Sequence, residues 1–298
     1  MANIGVGELS NSLATIVAAD ALGALKANAV LARLINRDFD ENVASYGQTI
    51  DIPFSGALSV NDKAADTVVT LQTPSDTKAT VVLNKHKEVS FLIEDIGRAM
   101  ARPDMLTLYM ADGMIALAEQ IDIDIAALYS GFSQTIDATA GLGEDDFREG
   151  RRLLNAASAP LANRFAVLHE DAEFEMLGIE RVVNRDYAES LGSGAADSFS
   201  GRFLGFDIFM DQKITIASSE AKNLFFQKNA VVMATRPLPP APAGSGVAQS
   251  VMAEDGIGLR ATVSYSADHL GVQVTIDVLY GVAELRDSHG VVVSTTEI

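Results

Sequence analysis

The 298-residue chain contains no cysteine and no tryptophan, and only 6% of its residues are aromatic. Without cysteine there is no disulfide, no thiolate nucleophile and no Cys-ligated metal. Without tryptophan the core must rest on Val, Ile, Leu, Ala, Met and Phe. Basic residues are scarce too: 22 Lys and Arg stand against 40 Asp and Glu, a formal charge of −18. Such a surface repels phosphate backbones and anionic lipid headgroups, which argues against sequence-reading nucleic-acid binding and against membrane docking. Its plain consequence is solubility through self-repulsion. Long apolar runs are missing as well, and none reaches the ~20 residues of a membrane span. LATIVAADALGALKA (13–27) has the composition of a signal core, but no basic residue precedes it and Asp20 interrupts it. A soluble chain, intracellular where it is made, is the expectation.

Reactive constellations are equally sparse. His86, His169, His269 and His289 are dispersed along the chain. In His169-Glu170-Asp171 the position four after the histidine is Glu173, where a zinc-protease helix carries a second histidine. The triplet reads instead as a strand end opening a helix, with Glu170 and Asp171 supplying a negative first turn. GSGAADS (192–198) and GSG (244–246) lack the Gly-Lys-Ser/Thr ending of a phosphate loop, and no G-x-S-x-G elbow occurs. Lys85 and Lys87 share a strand face beside Glu88, which reads as a salt-bridging surface. The chain reads as a non-enzyme without cofactor or metal.

What the chain does have is a legible order of elements. Residues 10–35 read as an amphipathic helical arm, with Leu13, Ile16, Val17, Leu25 and Val30 at helical spacing. TIDIPF switches to period two, and Pro53 marks it as an edge strand. The polar stretch SGALSVNDKAADTVVTLQTPSDTK (55–78) and the extended run ATVVLNKHKEVSFLI (79–93) complete a long projecting hairpin. A hairpin of that length buries little of itself and requires a partner. In 103–131, Leu106, Met110, Met114, Leu117, Ile121, Ile125 and Leu128 form one apolar stripe, ~40 Å of helical rod, with Pro103 and Asp104 at its start and Gly131 at its end.

That rod closes on IDIDIAALYSG (121–131), whose Asp122 and Asp124 have the composition of a carboxylate pair. Helical residues two apart point ~200° apart, so the two cannot converge on one reacting atom. Both are expected to be solvated or inter-subunit charges. Residues 144–235 alternate helix and strand: EDDFREGRRLLNAA, EDAEFEMLG and IERVVNRDYAESLG as helices, RFAVLH as a buried strand, RFLGFDIFMD as a strand around Gly205, and NLFFQKNAVVMATR as one apolar element. PLPPAPAGSGVAQS (237–250) is a connector. A final hairpin alternates Leu259, Ala261, Val263 and Tyr265, then Val272, Val274, Ile276, Val278 and Tyr280, around the tip ADHLG.

This order resembles the major capsid proteins of tailed bacteriophages, a fold shared with encapsulins and the herpesvirus capsid floor. ANAVLARLINRDFDENVASYGQTIDIPF (27–54) is similar to that family's arm entering its extended loop, and GVQVTIDVLYGVAELRDSHGVVV (271–293) to its closing strands. The resemblance implies an α+β fold with an N-terminal arm (1–47), an extended loop (48–90), a peripheral domain (91–139, spine helix 103–131), an axial domain (140–250) and closing strands of the peripheral domain (251–298). It implies self-assembly through pentamers and hexamers into an icosahedral head shell enclosing double-stranded DNA, without sequence-specific binding to that DNA. The expected localisation is the virion, after assembly in the bacterial host cytoplasm. Scaffolding and portal proteins, and a decoration protein, are the implied partners, with any scaffold a separate polypeptide. Lys63, Asp66, Lys78 and Asp268 are the candidate inter-subunit contacts. Some members of the family join a loop lysine to an asparagine near the closing hairpin by an isopeptide bond. Here the last asparagine is Asn229 and the hairpin tip offers Asp268, so a non-covalent shell is expected, with a Lys63–Asp268 contact between chains. Two other readings stand beside this one. An encapsulin-like compartment would carry a cargo-peptide groove, and a tail-tube subunit would be mainly β without the spine helix.

Overall fold

A computed structural model describes residues 15–22, 25, 29–38, 49–54, 58–73, 77–95, 105–179, 182, 201–242, 247–254 and 257–296. The first arm residues, Pro103 and Asp104, most of IERVVNRDYAESLG and the two Gly-Ser loops lie outside the described residues. In the arm, residues 15–22 are helical and a short helix α1 (Leu31–Leu34) follows. Val17, Ala18, Ala21, Leu22 and Leu25 are buried as helical spacing predicts, while Ile16 faces outward.

The run TIDIPF folds as β1 (Thr49–Phe54), which pairs antiparallel with β2 (Thr77–Val82) and, among the described residues, with no other strand. Pro53, unable to donate to a second neighbour, suits such a two-stranded ribbon. The return arm is shorter than its alternation suggests. ATVVLNKHKEVSFLI breaks at Leu83–Asn84 into β2 and β3 (Lys85–Glu94), and β3 leaves the ribbon to pair with β13 (Gly271–Glu284). Periodicity cannot mark where a strand changes partner, because the alternation continues in phase through the break.

The long apolar stripe folds as helix α2 (Met105–Ala126), tightened into a 3-10 turn at Ala127–Gly131. Met110, Met114, Leu117, Ile121 and Ile125 are buried. They join one core with Leu25, Leu31 and Ile35 of the arm and with Leu259, Ile276 and Val278 of the closing hairpin. Each fully buried large apolar side chain stabilises by about 1.5–3 kcal/mol, so this spine is the main anchor for both neighbours.

Two sheets form the body. In the first, β13 carries β3 on one side and, in tandem on the other, β12 (Ile257–Ser266) and β10 (Val231–Arg236); β11 (Ala248–Glu254) lies outside β12. The hairpin around ADHLG is therefore present, with Val263 opposite Val274 and Gly271 already in the strand. The second sheet runs β4 (Thr135–Asp137), β14 (Gly290–Thr296), β9 (Glu220–Gln227), β5 (Arg164–Leu168), β7 (Phe206–Met210) and β6 (Arg202–Phe203), with β8 (Ile216–Ala217) also on β9. Helices α3 (Glu144–Ala156) and α4 (Glu170–Leu177) contribute to its core, where Phe147 stacks 4.9 Å from Phe225. The acidic first turn of α3 is used twice: Asp146 accepts Gly143 N at 2.8 Å, and Glu144 and Asp145 both hold Arg148.

Two readings of the central stretch are corrected. RFLGFDIFMD is a tight hairpin, β6 and β7, because Leu204 and Gly205 take φ of 47° and 95° and reverse the chain. NLFFQKNAVVMATR belongs to two strands in different sheets, β9 and β10, separated by a 3-10 turn at Lys228–Ala230. β14 makes the opposite crossing after a 3-10 turn at Asp287–His289. The two crossings are tied together, Leu285 N donating to Ala230 O at 2.8 Å and Arg286 N to the same oxygen at 3.2 Å. β14 is thus the one strand of the second sheet that follows residue 250, while β10 carries the chain from that sheet into the first.

Candidate functional site

Among the described residues, the most exposed continuous surface is the ribbon β1–β2 with its tip. Its inner face is a small core: Ile50, Ile52, Val81 and Leu83 pack with Val232 and Ala234 of β10. Phe54 extends this base, and the Arg286 guanidinium lies 5.0 Å over its ring. At the root, β13 passes so close that a Cβ on Gly281 would come within 2.3 Å of Val82 O, so only glycine fits there. The outer face is polar. Asp51 receives Lys78 Nζ at 2.6 Å and Thr80 Oγ1 at 2.7 Å, and these bonds hold its carboxyl below the usual range.

Beyond the ribbon, residues 58–73 are exposed without exception. Among them Val60 is 97%, Val68 91% and Leu71 89% exposed, alongside Leu58 and Val69. The tip is held across its width by Ser59 and Gln72: Ser59 N donates to Gln72 Oε1 at 2.9 Å, and Gln72 Nε2 donates back to Ser59 O. Five large apolar side chains left exposed on one short segment have the character of a surface made for a partner.

The four candidate contact residues fall in three places. Lys63 and Asp66 sit in the tip, where Lys63 Nζ donates to Ala64 O at 2.8 Å and Asp66 takes a φ of 60° in the turn. Lys78 is at the end of the ribbon that leads into the tip, opposite Pro53, and already ion-paired with Asp51, so it meets any neighbour as half of a pair. Asp268 lies on the exposed turn between β12 and β13, next to Leu270, which is 63% exposed. His169 occupies the helix-opening position its neighbours predict: it is the N-cap of α4, and its Nδ1 accepts Asp171 N at 3.5 Å. Lys85 makes its salt bridge to Asp124, and His86 contacts Asp277, which also holds Arg260. Among the described residues no group of three or more His, Asp or Glu side chains is placed to hold a metal ion, and no helix is long and apolar enough to cross a membrane.

The spine carboxylates overturn the expectation of solvated charges. Asp122 is 2% exposed and accepts the backbone N–H groups of Val30 at 2.7 Å and Ala32 at 3.0 Å. Asp124 points to the other flank, where it receives Tyr280 Oη at 2.6 Å and Lys85 Nζ at 3.0 Å. Burial and the bond to Asp124 push the Tyr280 phenol well above its ordinary range. The ~200° divergence holds, and it sends one carboxylate to the arm and the other to the sheet. Helical spacing locates both residues, but their partners lie about 90 and 40 or more positions away, beyond any local signal.

Solved structures share the fold of this chain. A chain from Mycobacterium phage Che8 superposes with a TM-score of 0.65 at 21% identity, over 89% of this chain and 90% of that one. The capsid of cyanophage P-SCSP1u matches with a TM-score of 0.63 at 15% identity over 85% of each chain. The capsid of Ralstonia phage GP4 matches with a TM-score of 0.63 at 9% identity, again over 85% of each chain. No protein-family model and no curated protein sequence matches the chain. The likeness is one of fold, and the fold is that of phage capsid structures.

Proposed function

We propose that this chain is the shell subunit of a tailed-phage head, assembling through pentamers and hexamers into an icosahedral container for double-stranded DNA. The observation that carries the reading is the ribbon tip, a fully exposed segment with five large apolar side chains, on a fold that otherwise matches phage capsids over most of its length. Such a tip is stabilised when a neighbouring copy covers it. In this reading 48–90 lies across the adjacent subunit, 140–250 faces the capsomer centre, and 91–139 with 251–298 forms the periphery. Lys63, Asp66, Lys78 and Asp268 are polar contacts at the rim of that overlap, with Lys63 and Asp268 paired between chains. A charge of −18 suits a wall that must not adhere to packaged DNA. Scaffolding, portal and decoration proteins are the partners such a shell takes, and the host cytoplasm is where it forms before becoming part of the virion. Negative-stain microscopy of the purified chain, with scaffold supplied if needed, tests the proposal: closed shells are expected, and tubes or small discrete oligomers would reject it.

A further inference from the structure

β3 is the outermost strand on its side of the first sheet: β13 lies along one edge, and among the described residues no strand lies along the other. Val89 and Phe91 of β3 stand opposite Ile276 and Val274 of β13, which are each 1% exposed. Yet Val89 and Phe91 are themselves only half-buried, as are Leu92 and Ile93. The Phe91 ring lies 6.2 Å from that of Tyr109 on α2, and Tyr109 is 44% exposed. The apolar layer between sheet and spine therefore ends half-covered, at a ten-residue strand whose outer backbone groups are open to a further strand.

The ribbon tip has the complementary deficit. Its return limb, TVVTLQT (67–73), is rich in β-branched residues that favour strand, yet it forms none. Among the described residues, no backbone group of 68–73 is bonded to another backbone group. Within one copy the two deficits cannot meet. A local hairpin joining 67–73 to 87–93 turns at 79–81, and those residues are held in β2, in register with β1. We infer that residues 67–73 add as an antiparallel strand to the open edge of β3 in a neighbouring copy. This deepens the reading of the tip as an assembly contact and rests on it.

The side chains select direction and register. With Val69 opposite Phe91, Leu71 falls opposite Val89, and both pairs lie on the face that packs against the core. On the other face Thr70 meets Ser90, Val68 meets Leu92 and Gln72 meets Glu88, so apolar residues pair with apolar and polar with polar. A parallel strand that keeps Val69 and Leu71 on the core crosses these pairs, setting Val68 against Glu88 and Gln72 against Leu92. Pro74 follows the limb and ends it, since it has no N–H to donate. Asp95 N bonds Leu270 O at 2.9 Å, which places the far end of β3 beside the turn that carries Asp268. Antiparallel addition leads Lys63 towards that turn.

The chain has no cysteine, so introduced thiols report the contact without background. Chains carrying Thr70→Cys and chains carrying Ser90→Cys are mixed, assembled and oxidised. A disulfide-linked dimer that reductant splits is expected on a non-reducing gel, because opposed residues of antiparallel strands lie within disulfide reach. Neither variant alone should give it, nor should Asn61→Cys, on the outgoing limb, mixed with Ser90→Cys. For direction, Leu92→Cys should link to Val68→Cys and not to Gln72→Cys. Shells without the dimer would overturn the strand addition and leave the shell reading standing, and a dimer without shells would do the reverse. Linkage through Asn61→Cys as strong as through Thr70→Cys, or through Gln72→Cys in place of Val68→Cys, would overturn the pairing. Should Leu92→Cys fail to fold, the exposed Thr70 and Ser90 pair decides alone.

Discussion

Ile121 and Asp124 stand three residues apart on α2 and test what each face of the spine does. Ile121 is fully buried among apolar side chains, with no donor to meet a carboxylate. Ile121→Asp leaves an unpaired charge in that core, which costs several kcal/mol, roughly the whole stability of a domain of this kind. Asp124→Asn is milder: the amide oxygen still accepts Tyr280 Oη, and only the attraction to half-exposed Lys85 is lost, about 1–2 kcal/mol. Urea unfolding of the two variants is expected to give no cooperative transition for the first and a modestly lowered midpoint for the second. A silent Ile121→Asp beside an unfolded Asp124→Asn would reverse the two faces. At this scale the apolar stripe was legible from spacing alone. The carboxylates were located by the same spacing but misread as solvated, since solvation depends on which distant segment packs over a residue.

Among the elements, the ribbon shows how local pattern and tertiary pairing divide the work. Its existence follows from alternating residues around a polar stretch, and its edge character from Pro53. Its true length, six residues on each strand, follows from β3 pairing with β13 instead of with β1. Because the ribbon's base has its own small core on β10 and residues 58–73 are exposed throughout, the two are separable. Deleting 58–76 and closing the ribbon with a short turn should leave a soluble chain with an unchanged circular dichroism spectrum that forms no shells in the microscope. Normal shells from that deletion would show that the tip carries none of the assembly contacts. Loss of folding would place the tip's role inside the subunit.

For the whole molecule, the proposed shell function raises the question of how copies would be locked together. A lysine–asparagine cross-link needs a carboxamide near the closing hairpin, and Asn229, the last in the chain, is engaged elsewhere, its Oδ1 accepting Asn36 Nδ2 at 2.9 Å. The tip between β12 and β13 presents Asp268, which lacks an amide to expel. Assembled particles boiled in detergent should therefore run as monomers on a denaturing gel, and a ladder of oligomers would mean that another carboxamide reaches a loop lysine. Within the subunit, cohesion comes from the exchange of β10 and β14 between sheets, pinned where Ala230 O accepts two N–H groups of the returning chain. This interlock makes the sheets mutually dependent, so unfolding of one exposes the edge of the other.

The sequence by itself determined the spine's apolar face, the helical character of the arm, the closing hairpin, the helices α3 and α4, and the projecting ribbon. Each is written in a period of 2 or 3.6 residues that local sterics impose on the backbone. Tertiary structure alone decided the partner change at Leu83–Asn84, the crossing of β10 and β14, and the burial of Asp122 and Asp124. Those depend on contacts between segments 40 to 200 positions apart, roughly, and alternation within a segment carries no information about which neighbour it will meet.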